Sequence, residues 1–182
     1  MLIRFFRKGQ TSINAYLEFR KKTIETKMND IKASESFFDI GYDKSCAIVA
    51  MLCDFNYSTA AQSERFTSLA CFASGKAELY SSKSGLKTGA IHRLGTIERE
   101  VMGLIKKSEN AIYLFKKTDD YYLPEAESAR IYAITTAGVF IVEYNLNFIW
   151  TLNYQLSEIQ KQIEIIAHMI RSSSVKQIEL HT

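Results

Sequence analysis

The chain has 182 residues, 47% of them hydrophobic and 12% aromatic, with only 8 glycines and 1 proline. That is enough apolar material for one packed domain, and it excludes a disordered, collagen-like or linker-rich chain. The net charge of +3 is small but uneven, because residues 1–28 carry seven basic and two acidic side chains and leave the remainder net negative.

Residues 1–10 (MLIRFFRKGQ) read as a basic arm. Their apolar run is too short and too interrupted by charge for a signal peptide, and no stretch reaches the ~20 apolar residues of a membrane helix. A cytoplasmic protein is expected. The basic surface of residues 1–28 can meet nucleic acid or an anionic membrane; the plain alternative is a solvated helix face. Cys46, Cys53 and Cys71 all lie in apolar runs, and an odd count without a leader points to reduced, buried thiols.

Residues 11–33 read as a helix, with Thr11 or Ser12 as N-cap and Ile13, Leu17, Ile24, Met28 and Ile31 on one stripe. Arg20 interrupts that stripe, where its aliphatic stem can snorkel. Residues 46–53 (CAIVAMLC) are apolar at odd and even positions alike, the pattern of a strand covered on both faces.

A hairpin is then written twice. Residues 66–80 (FTSLACFASGKAELY) and 130–144 (RIYAITTAGVFIVEY) each join two β-favouring runs through a break, Ser74-Gly75 and Ala137-Gly138. The segment SSKSGLKTG reads as a loop leading into a helix over residues 91–107. The buried stripe of that helix is Ile91, Leu94, Ile97, Val101, Leu104 and Ile105, with Gly95 and Gly103 allowing another backbone to approach closely. Residues 111–116 (AIYLFK) suggest a further strand, and 118–127 a polar loop. The last helix carries Leu152, Leu156, Ile159, Ile163, Ile166 and Ile170 at alternating spacings of four and three, a seam that wants a long partner groove. Residues 172–182 are a polar tail. The first and last helices, with stripes of similar length, are expected to pack together.

Chemistry is harder to find. The three histidines stand alone, no metal-ligand spacing occurs, and no cofactor is implied. Cys53, at a strand end beside Asp54, is the candidate nucleophile, against the plainer reading of a core cysteine. Lys87 and Thr88, in the Gly85–Gly89 segment before a helix, with Lys83 just ahead of it, are candidates for holding an anion. Asp119, Asp120, Tyr121 and Tyr122 form an acidic, aromatic loop whose tyrosines suit a protein contact.

The segment from 66 to 171, with its repeated FTSLACFASGKAELY and RIYAITTAGVFIVEY hairpins around one helix, resembles a roadblock or longin-type module. The expected fold is α+β: one domain over 11–171, with a central, mainly antiparallel sheet of about five to six strands, a crossover helix, and long N- and C-terminal helices. With no catalytic or metal constellation, surplus apolar surface on the last helix and edge strands that need covering, a non-catalytic interaction, scaffolding or regulatory module is expected, acting as a homodimer or with another protein. Leu156, Ile159, Ile163, Ile166, Tyr121 and Tyr122 are the expected interface. A PAS- or GAF-like sensor with a ligand between sheet and helix is the alternative, given small residues such as Ala50, Ala70 and Ala133. An enzyme using Cys53 or the Gly85–Gly89 loop is the third.

Overall fold

Alternating apolar runs between tight turns give seven strands in a computed structural model of the chain. They are β1 (Ile48–Asn56), β2 (Phe66–Phe72), β3 (Ala77–Ser81), β4 (Gly85–Thr88), β5 (Lys116–Lys117), β6 (Ser128–Thr135) and β7 (Gly138–Asn145). The structure describes residues 14, 17, 18, 20–26, 47–59, 65–82, 85–88 and 94–175, without the side chains of 85–88, 94 and 173–175. Helix α1 is described over residues 20–26, and α2 (Leu94–Asn110) and α3 (Tyr154–Val175) follow. All seven strands form one antiparallel sheet in the order β4-β3-β2-β1-β6-β7-β5. This is the expected α+β class.

β1 is the middle strand, bonded to β2 on one side and β6 on the other. Eight of its nine residues are buried, as its unbroken apolar run requires. Both hairpins turn at a glycine with positive φ, Gly75 at 82° and Gly138 at 118°, where a side chain would be strained. Thr135 ties the second turn, its Oγ1 donating to Gly138 O at 2.8 Å and accepting from Ala137 N at 3.0 Å.

Strand alternation splits the core into two layers. Met51, Cys53 and Phe55 of β1, with Leu69, Cys71, Leu79, Ile131 and Ala133, face α2 and α3. α2 presents Ile97, Val101, Leu104 and Ile105, and α3 presents Ile159, Ile163, Ile166 and Ile170. Burying each of these isoleucines contributes about 1.5–3 kcal/mol. Ala50 and Leu52, with Ala70, Tyr132, Ile134 and Val139, face the other way and meet Ile24 of α1.

The described part of α1 therefore lies across the sheet from α3, and among the described residues the expected pairing of first and last helices does not occur. α3 takes α2 as its neighbour: Gln162 Nε2 donates to Glu100 O at 3.2 Å, and Lys107 Nζ donates to Gln162 Oε1 at 2.9 Å. Gly103 faces Gln162 across that contact, whereas Gly95 faces open space. The α1 stripe is also revised. Leu17 is exposed, and the face turned to the sheet is Arg20, Thr23 and Ile24. The caps Thr11 and Ser12, with Ile13, Met28 and Ile31, lie outside the described residues.

Three further boundaries differ. Residues 85–88, expected in a loop, pair with β3 as an edge strand. The strand expected over 111–116 is a 3-10 turn (Ile112–Leu114) followed by the two-residue β5, because Ile112 and Leu114 pack back onto the core. Helix α2 starts no earlier than Leu94 within the described residues and runs to Asn110, burying Ser108 as well. No helix among the described residues is long and apolar enough to cross a membrane.

Candidate functional site

The α1 face of the sheet carries an unexpected polar cluster. Asp54 of β1 is fully buried, and its register neighbours are Ser68 on β2 and Arg130 on β6. Arg20 reaches down from α1 to meet it, Nε donating to Asp54 Oδ2 at 2.6 Å, while the Ser68 hydroxyl donates to Oδ1. The rest of the Arg20 guanidinium donates to the carbonyls of Tyr121 at 2.8 Å and Tyr122 at 3.3 Å, and lies 5.8 Å from the Tyr132 ring centre. Tyr122 O also accepts from Tyr132 Oη at 2.8 Å and from Arg130 Nη1 at 3.0 Å, and Pro124 O accepts from Asn56 Nδ2 at 3.0 Å. A buried carboxylate without such partners would be costly; with them it clamps helix, sheet and the 121–124 segment together. Burial pushes the Tyr132 phenol up from its ordinary pKa, and the Asp54 charge adds to that, while Arg20 and Arg130 oppose it.

The candidate nucleophile fares poorly in this geometry. Cys53 is fully buried on the opposite face from Asp54, and burial, with the charges of Cys71 and Asp54 adding, pushes its thiol well above the ordinary range. A thiol that stays protonated and sealed from solvent is no nucleophile. Cys71 is likewise buried and pushed up. Among the described residues no group of histidine, cysteine and carboxylate side chains could hold a metal ion. His168 is on the exposed surface of α3, within 3.4 Å of Ser172 Oγ, and His92 lies outside the described residues.

The other expected site residues scatter. Lys87 and Thr88 sit on β4 rather than in a helix-capping loop, and Lys83 lies outside the described residues. Ile159, Ile163 and Ile166 are spent on the chain's own core, so their expected intersubunit role gives way to an internal one; Leu156 is half-buried beside them. Tyr121 turns inward, its ring 6.2 Å from Tyr132, whereas Tyr122 is exposed, as are Asp119 and Asp120.

An aromatic surface not singled out in the sequence lies between β7 and α3. Residues 145–157 (NLNFIWTLNYQLS) contain no charge. Asn145 Oδ1 accepts from Asn147 N at 2.8 Å and opens a 3-10 segment, Leu146–Thr151. Thr151 Oγ1 donates to Phe148 O at 2.7 Å, and Asn153 Oδ1 accepts from Leu156 N at 2.9 Å, capping α3. The backbone is thus held at both ends while Phe148, Trp150 and Tyr154 are 54%, 78% and 76% exposed. Phe148 and Trp150 meet edge to face with ring centres 5.7 Å apart. The missed signal was the uncharged run itself, which contains the chain's single tryptophan.

No protein-family model, no curated protein and no solved structure matches this chain.

Proposed function

We propose that this chain is a non-catalytic protein-interaction module, and that its Phe148–Trp150–Tyr154 surface binds a second copy of itself. The observation that carries the reading is the exposure of three large aromatics on an uncharged, hydrogen-bonded segment. Tryptophan and tyrosine dominate binding hot spots, and large apolar side chains left exposed on one ordered segment of a well-packed domain mark a contact surface. At their observed exposures the three rings present roughly 400 Å², about half of one partner's share of a standard interface. Half-buried Leu146, Ile149, Leu152 and Leu156 flank them and can supply more.

A second copy is the favoured occupant for a further reason. β5 covers only Phe140 and Ile141 of β7, and among the described residues no strand pairs with 142–145 on that side. The open edge runs directly into the aromatic segment, so one two-fold contact covers both. This takes over the role first given to the α3 seam.

Light scattering tests the proposal. Twice the chain mass is expected at micromolar concentration, with a monomer for Trp150→Ser at unchanged helix content. A monomeric parent, or a dimer indifferent to Trp150→Ser, would overturn it. Arg171→Glu, on the far part of α3, should leave the dimer intact.

A further inference from the structure

At the end of the sheet beyond β1 and β2, on the α3 side, lies a cleft of about 280 Å³. Its lining is Tyr57, Arg65, Phe66, Thr67, Ser81, Ser82 and Arg171. Two guanidiniums and four hydroxyl side chains line one space, and among the described residues no carboxylate lines it. The cleft continues through Tyr57, Thr67 and Arg171 into a narrower crevice of about 60 Å³, floored by Phe55, Leu69, Leu79 and Ile163. We infer that this cleft binds a small anion carrying an apolar body, with its head group between Arg65 and Arg171.

The sequence places these groups by register. Phe55 pairs with Thr67 and Thr67 with Ser81, so all three point to the α3 face at the sheet's end. Arg65 precedes β2, held by its backbone N–H donating to Ser58 Oγ at 3.0 Å and its carbonyl accepting from Tyr57 N at 2.8 Å. Arg171 comes down from α3 one turn before that helix ends. The charge of Arg171 acts on the Tyr57 phenol, lowering its pKa against the rise due to burial, so the guanidinium is near the shared wall. Glu164 lies in the inner crevice, engaged by Gln160 Nε2 at 2.8 Å. That carboxylate disfavours an anion inside and sets the polarity: charge at the mouth, apolar body inward. The two guanidiniums outweigh the adverse C-terminal end of α3, whose effect is modest and fades within the last turn.

The volumes suit a ligand smaller than a typical drug. The site is separate from the aromatic surface, so it stands or falls independently of self-association. The test uses the full chain and anilinonaphthalene sulfonate, an aromatic anion whose fluorescence rises on leaving water. Saturable binding is expected, displaced by octanoate and at least about tenfold less well by inorganic phosphate, which lacks an apolar body. Arg171→Glu, at an exposed helix position, and Arg65→Ala should each weaken probe binding by at least about tenfold, the cost of one charge-assisted contact. Trp150→Ser should leave it unchanged. No saturable binding, equal displacement by phosphate, affinity unchanged in Arg171→Glu, or loss in Trp150→Ser would overturn the inference.

Discussion

Replacing Arg20 by methionine removes one charge of a pair sealed inside the protein. The side chains of Arg20 and Asp54 are 6% and 0% exposed, and the pair distance is 2.6 Å. An exposed ion pair is worth about 0–1 kcal/mol, but removing one member of a buried pair costs about 3–5 kcal/mol because the other charge stays desolvated. The same substitution releases the carbonyls of Tyr121 and Tyr122 from the guanidinium. In a chain of this size each kcal/mol lowers Tm by about 2–4 °C, so Arg20→Met should melt roughly 6–20 °C below the parent. Urea unfolding of Arg20→Met, Asp54→Leu and the double variant forms the decisive cycle. The double variant should be less destabilised than the sum of the singles by more than about 1 kcal/mol, since losing both charges leaves none buried alone. An Arg20→Met loss within about 0.5 kcal/mol, the range of ordinary surface changes, would refute the claim that α1 is clamped through Asp54.

Ile163→Ala should cost about 2–5 kcal/mol, and the loss should not change with protein concentration, because Ile163 fills the chain's own core; a loss that vanishes on dilution would return the α3 seam to an interface. Gly75→Ala should cost at least about 1–2 kcal/mol in urea, since φ is +82° there and an added Cβ would also run into Glu98 Cγ, and a neutral result would mean the turn readily changes type. Stability should also fall in alkali. Burial raises the thiol pKa of Cys53 and Cys71 in the folded chain, whereas unfolded thiols ionise near ~8.5. The added stability is therefore complete below that pH and declines as pH rises above it, by about 1.4 kcal/mol per thiol per pH unit. Urea midpoints between pH 7 and 10 should drop more steeply for the parent than for Cys53→Ala/Cys71→Ala; parallel curves would refute the buried-thiol reading.

The sheet was legible where pattern and physics agree. The two-sided apolar run of β1, the two glycine turns and the isoleucine seam of α3 each admit few alternatives. The layering was not, because a stripe gives a helix an apolar face without saying which side of a sheet it covers. Arg20 looked like a break in the α1 stripe and is its anchor, since its partner Asp54 sits on a distant strand and no local spacing links them. Residues 85–88 and 111–116 are illegible for a related reason: a four-residue edge strand and a 3-10 turn are settled by neighbours that sequence period does not report. The α3 seam is legible as apolar but not as internal, because burial within a chain and burial between chains leave the same pattern. The exposed aromatics leave no such signal, since the spacings of two and four between Phe148, Trp150 and Tyr154 fit no single periodicity.

Trp150, the chain's lone indole, reports the proposed self-contact without any label. Its emission should sit at the wavelength of a solvated indole at nanomolar concentration and move to shorter wavelength at micromolar, with the same midpoint as the rise in mass. An emission maximum that stays put across that dilution series would contradict a shared aromatic surface between two copies.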